Sequence, residues 1–205
     1  MYARTHDTLE AKMLNIVLVE PEIPANTGNI GRTCVLTGAR LHLVGPLGFD
    51  LSDKAVQRAG LAYWESLDVR TYDSWEDFAG SSLPAGFDHV HLFTKAGRRV
   101  FSDASYSPDD WLVFGKESSG LSESLLLAHP DRTVRIPMLD DRALTNASRW
   151  HDSFDRQHPE LRRDICGNFV DERAGQIVSL NLSNAVAIGL FEALRQLGYP
   201  GMGTH

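Results

Sequence analysis

Residues 14–19 read Leu-Asn-Ile-Val-Leu-Val and stop at Glu20-Pro21, a near-continuous apolar run without helical spacing. A run of that kind is buried on both faces, which is the environment of a strand inside a parallel sheet. Similar short runs return at 41–44, 69–72, 89–93, 111–114 and 133–136. Between them, 53–59 and 74–79 read as helices, and a longer helix is predicted to follow the first strand and end near Gly38. Strands alternating with helices predict an α/β fold, a parallel sheet with helices on both faces. In such a sheet the ligand crevice lies at the carboxyl ends of the strands.

Three polar segments follow predicted strands and so share that end. The first, Asn26-Thr-Gly-Asn-Ile-Gly-Arg32, comes after Pro21 and Pro24, which hold the chain extended, so that Asn26 or Thr27 is expected to cap the following helix with Arg32 in its first turns. Phe114-Gly-Lys-Glu-Ser-Ser-Gly-Leu121 is the second. The third, Ser179-Leu-Asn-Leu-Ser-Asn-Ala-Val186, runs into a long amphipathic helix whose first N–H groups its short polar side chains can cap. None of the three is a Gly-x-Gly-x-x-Gly dinucleotide fingerprint or a Gly-Lys-Ser/Thr phosphate loop.

Composition narrows the classes. No apolar stretch approaches the roughly 20 residues needed to span a bilayer, and no secretory apolar region opens the chain, so a cytoplasmic protein without membrane attachment is expected. Cys34 and Cys166 are too few for a disulfide framework, and Cys34 reads as core. The formal net charge of −7 excludes a generally basic coat. A nucleic-acid partner then requires cations gathered locally, and the candidates are Arg32, Lys54, Arg58, Lys95, Arg98 and Arg99.

Taken in order, the three polar segments resemble the sequence motifs of the SPOUT-class RNA 2'-O-ribose methyltransferases. The opening Leu14-to-Pro24 stretch and the closing Arg195-Gln-Leu-Gly-Tyr-Pro-Gly201 are similar to the branch that acts on the tRNA wobble nucleotide, cytidine or modified uridine. The resemblance implies a C-terminal trefoil knot, a homodimer, tRNA as substrate and S-adenosylmethionine as methyl donor. It assigns the donor pocket to Leu92, Thr94, Gly115, Ile136, Ser179, Leu180 and Asn181. Catalysis falls to Arg32, with Asn26 and Glu117 expected to orient it. Because a guanidinium stays protonated, Arg32 is expected to stabilise charge or fix a phosphate rather than act as a base. Gly115 is expected to let backbone approach the ligand closely.

Plainer readings stand beside these. Asn26 can be an N-cap, Glu117 a turn residue and Arg32 a surface charge, while His89 and His91 alternate on a strand and are expected to pack. Leu182, Val186, Leu190, Leu194 and Leu197 form a stripe at helical spacing, suited either to a dimer interface or to packing on the chain's own sheet. The single expected domain covers 13–201, between a disordered extension at 1–12 and a tail at 202–205. It is interrupted at 139–178 by an insertion where the family has a short loop. His151, His158 and Cys166 inside the insertion match no standard zinc spacing, so no metal is expected. Competing functions are a non-catalytic RNA-binding or assembly module on the same fold, or a methyltransferase directed at another RNA position.

Overall fold

The computed structural model describes residues 13–51, 63–83, 87–138 and 179–203. In chain order the elements are β1 (Asn15–Val19), α1 (Pro24–Thr37), β2 (Arg40–Val44), β3 (Val69–Tyr72), α2 (Trp75–Ser81), β4 (Val90–Phe93), β5 (Arg99–Val100), β6 (Trp111–Phe114), α3 (Glu123–Ala128), β7 (Thr133–Arg135) and α4 (Leu182–Gln196). The strands form one sheet in the order β3-β2-β1-β6-β4-β7-β5, and every pair is parallel. Lys54, Arg58, the predicted 53–59 helix and the 139–178 insertion with His151, His158 and Cys166 lie outside the described residues, as do the 1–12 extension and the last two residues. No described helix is long and apolar enough to cross a membrane.

Alternation along β1 divides the core in two. Ile16 and Leu18 join Ile30 and Cys34 of α1 and Leu182, Val186, Leu190 and Leu194 of α4 on one face. Val17 points to the other face, with Phe78 of α2, Trp111 and the half-buried Leu125 and Leu126 of α3. Helices therefore cover both faces, as the pattern predicts. Burial drives the Cys34 thiol up to about 12, so it stays protonated as core. The second face holds a buried polar chain within an aromatic cluster. His42 is hydrogen-bonded through Nε2 to Asn15 (3.2 Å) and through Nδ1 to the Tyr72 hydroxyl (2.9 Å), and the Phe78 and Trp111 rings pack against it.

The leucine stripe of α4 resolves in favour of the chain's own core, since Leu182, Val186, Leu190 and Leu194 are all buried. On these two helices, the large apolar side chains left exposed are different ones: Leu36 on α1 (73% exposed) and Ile188 (38%) and Phe191 (44%) on α4.

The far edge of the sheet has an unusual connection. β7 lies between β4 and β5, yet residues 94–98 alone join those two strands. Register explains how the strap fits: β4 ends with Phe93 beside Val134, and β5 begins with Arg99 beside the same residue. The strap therefore steps across β7 at Val134. The Thr94 amide donates to the Val134 carbonyl (2.9 Å), and the Arg98 amide donates to the Thr133 hydroxyl (3.1 Å). A Cβ on Gly97 would collide with the Val134 and Arg135 backbone, so only glycine fits at the crossing. Two-residue β5 is too short to register as a strand in the sequence pattern.

Candidate active site

The helix α1 starts earlier than expected. Ile23 is the N-cap and offers no side-chain cap, while Pro24 occupies the first helical turn, where its missing N–H costs nothing. Asn26 and Thr27 therefore lie inside the helix, not at its cap, and the first motif is helical. Both are buried, Asn26 to 1% and Thr27 to 0% exposure.

What replaces the local cap is a residue from the second motif. Glu117 accepts from the Glu22 amide (2.8 Å), the Ile23 amide (3.3 Å) and Asn26 Nδ2 (2.9 Å). A carboxylate there satisfies donors that precede the helix and sits at the positive end of its dipole. Neighbouring contacts reinforce the join. Glu22 accepts from the Ser118 amide and hydroxyl, both at 2.9 Å, and Lys116 pairs with Glu20 at 2.6 Å.

The third motif closes the chain of bonds. Asn181 Nδ2 donates to Asn26 Oδ1 (2.9 Å), while Asn181 Oδ1 caps α4 by accepting from the Ser183 amide (2.9 Å), the Ser183 hydroxyl (2.6 Å) and the Asn184 amide (3.3 Å). Glu117, Asn26 and Asn181, one from each motif, thus form a single polar line between the starts of α1 and α4.

Arg32 stands apart from that line, contrary to expectation. Six residues along a helix of 3.6 per turn amount to roughly 240° of rotation, so Arg32 and Asn26 point in different directions. Asn26 is buried and Arg32 exposed. Arg32 instead lies over the ring of Tyr63, 5.2 Å from its centroid. The Tyr63 hydroxyl donates to the Gly28 carbonyl at 2.6 Å. Sequence reasoning missed Tyr63, which stands in no motif and follows no periodicity.

The glycine of the second motif is pressed against its own loop. A Cβ on Gly115 would collide with the Gly120 carbonyl carbon and the Leu121 nitrogen, so the close approach is to the motif's own loop, pinned where Lys116 bridges Gly120. Of the other donor-pocket candidates, Leu92 is buried in β4, Thr94 begins the strap and Ile136 follows β7, half-buried. Ser179 and Leu180 are exposed just before α4. Lys95, Arg98 and Arg99 are exposed on and beside the strap, with Arg98 3.3 Å from Asp131.

His91 and His89 belong to a separate cluster at the opposite end of the sheet. Both rings meet Asp110 at 2.8 Å. Despite its burial, Asp110 is held below the usual carboxylate range by hydrogen bonds from His91, the Ser107 amide and His89. His91 is buried as expected, whereas His89 lies outside β4 and its side chain is 55% exposed.

Residues 13–149 match the SpoU rRNA Methylase family. A tRNA (cytidine(34)-2'-O)-methyltransferase of Burkholderia pseudomallei (strain 1106a) is 40% identical over 190 residues, covering 92% of this chain and 99% of that protein. A solved structure described as giving insight into the 2-OH methylation of C/U34 on tRNA is 36% identical with a TM-score of 0.70, over 92% of this chain and 98% of that one. The SpoU methyltransferase AviRb from Streptomyces viridochromogenes, solved with AdoMet, shares the fold with a TM-score of 0.60 at 23% identity, over 93% of this chain and 62% of that one. The parallel sheet, the three joined motifs and the near-full-length match agree, and the chain belongs to the SpoU methylase family.

Proposed function

We propose that this protein transfers a methyl group from S-adenosylmethionine to the ribose 2'-hydroxyl of nucleotide 34, the wobble position of a tRNA anticodon loop, in the cytoplasm. The observation that carries the reading is the Glu117–Asn26–Asn181 line, which joins three distant motifs at one place in a chain 40% identical to a protein named for that reaction.

The residues at the carboxyl ends of β4, β6 and β7 suit a donor pocket. Leu92, Thr94, Gly115, Ile136 and Ser179 to Asn181 supply backbone amides and carbonyls, and the exposed Met138 (40%) and Leu180 (38%) offer apolar surface for an adenine ring. When bound, S-adenosylmethionine supplies an electrophilic methyl on a sulfonium. Asn181 holds its own loop in place through Asn26, and Glu117 holds Asn26. Arg32, permanently charged, stabilises the developing alkoxide of the attacking hydroxyl or grips the adjacent phosphate. Exposed Lys95, Arg98 and Arg99 provide local positive charge for the RNA backbone, and Lys54 and Arg58 belong to the same proposal.

Two further assignments follow from the family. The strap 94–98 crossing β7 is the kind of overpass beneath which a trefoil knot is threaded. A second copy of the chain covers Leu36, Ile188 and Phe191, forming a homodimer. Leu36 is one turn beyond Arg32 on α1, so a partner covering Leu36 would come close to Arg32.

The test is methylation of unmodified tRNA by purified protein with isotope-labelled donor, followed by nuclease digestion and mass spectrometry. Label on the ribose of nucleotide 34 is expected, and label on a base, on another nucleotide or on none overturns the reading. Arg32→Ala is expected to lower the single-turnover rate about a hundredfold or more, as removal of a transition-state charge partner does, with Arg32→Lys a poor rescue. A wild-type rate for Arg32→Ala removes Arg32 from catalysis.

A further inference from the structure

We propose that Tyr63 is a positioning residue for Arg32, acting through its ring face and its hydroxyl together; the inference rests on the catalytic role given to Arg32 above. Geometry carries it. The guanidinium lies 5.2 Å from the ring centroid, in range of the attraction between a cation and an aromatic face. The hydroxyl is tied at 2.6 Å to the carbonyl of Gly28, four residues before Arg32 and so directly beneath it on the same side of α1. One aromatic side chain therefore grips the helix at one turn and presents its face to the arginine at the next.

The helix surface is shaped to allow this. Gly31, beside Arg32, faces the turn Trp64–Ser66, and a Cβ there would meet Trp64 Cζ3 and Leu67 Cδ2 at 3.1 Å. Without a side chain at 31 the turn lies close against α1, which carries the preceding Tyr63 over Arg32. Burial pushes the Tyr63 hydroxyl pKa up, against the smaller opposing pull of Arg32. The hydroxyl stays protonated and remains the donor to Gly28. An exposed arginine samples many rotamers, and a ring that removes most of them leaves the fork aimed before substrate arrives. Tyr63 touches no reacting atom in this scheme.

A double-mutant cycle on the full-length protein tests it, with single-turnover methylation of tRNA measured at saturating donor and tRNA. Tyr63→Leu is expected to slow the rate about tenfold, the scale of one ordered cation–aromatic contact plus one hydrogen bond, with donor affinity by calorimetry unchanged. Tyr63→Phe keeps the ring and is expected to lose about threefold or less. In an Arg32→Ala background, Tyr63→Leu is expected to add nothing, because its effect passes through the missing guanidinium. A further loss equal to that in the wild-type background overturns the proposal while leaving the role of Arg32 intact. A wild-type rate for Arg32→Ala instead defeats the underlying reading. If Tyr63→Leu fails to fold, phenylalanine at 63 carrying one, two and three ring fluorines supplies a shape-conserving series. The rate is expected to fall stepwise as fluorine drains the negative ring face, and a flat series overturns the proposal.

Discussion

Removing the Glu117 carboxylate is expected to loosen the start of α1 and, through it, the donor loop. Glu117 makes three charge-assisted contacts, to the Glu22 and Ile23 amides and to Asn26, and no side chain of the N-cap residue Ile23 can substitute. Hydrogen bonds to a charged acceptor contribute about 1.5 kcal/mol or more each, less where water can replace the partner. With Glu117 half-buried, a total of about 3 kcal/mol for Glu117→Ala is reasonable, including the helix-dipole contribution. For a domain of this length that amounts to roughly 6–12 °C in melting temperature. Glu117→Gln, which keeps one acceptor oxygen but turns an amide N–H₂ towards the other donors, should lose about half as much. Differential scanning calorimetry measures the shift, and titration with S-adenosylmethionine measures the second consequence: Asn26 loses its anchor, so the Asn181 loop is held less firmly and donor affinity falls. An alanine variant that melts within about 1 °C of wild type, against a shift of roughly 6–12 °C, would refute the remote-cap argument.

Gly115→Ala should destabilise the protein even without ligand, because the added methyl strikes the Gly120–Leu121 backbone; an unchanged melting curve would contradict the close approach. His42 is neutral at pH 7 because burial lowers its pKa from 6.5 to about 3, with Arg40 and Arg70 adding to the shift. Below pH 6.5 the unfolded chain binds a proton that the native state refuses, so stability present above that pH should decline by about 1.4 kcal/mol per pH unit until the folded pKa is reached. Urea unfolding at pH 7, 6 and 5 should show this slope in wild type and a shallower one in His42→Gln, and equal slopes would argue against the assignment. Replacing Arg98 and Arg99 together with Ala should weaken tRNA binding and flatten its salt dependence, by a log–log slope of about 1 for each phosphate that is no longer neutralised, with the single-turnover rate unchanged.

Much of the scaffold is legible in the sequence because parallel strands buried on both faces are written as apolar runs. Val69–Tyr72 and Trp111–Phe114 coincide with the expected bounds, and both flank turns rich in polar residues or glycine. Legibility fails where the determining partner is distant. Asn26 looks like a cap because residues of its type usually are, yet Pro24 lets the helix begin sooner and Glu117, 91 residues away from Asn26, does the capping. The inward turn of the α4 leucines follows from its fit against α1 and the sheet, which helical spacing alone leaves open. Tyr63 reaches Arg32 only because Gly31 admits the intervening turn, a relation with no signature in residue order.

The bond between Asn26 and Asn181 spans 155 positions of the chain, and this gives the site a history during synthesis. A ribosome that has released β1, α1 and β6 has already delivered Glu117 and its contacts to α1. The last member of the polar line still awaits translation. A growing chain of this kind can bury most of its sheet before it can assemble the place where three motifs meet. Non-local contacts of such separation also close late in folding, after shorter loops have formed. Truncated or stalled products that end before Asn181 would therefore carry much of the fold and lack the bond that completes the polar line.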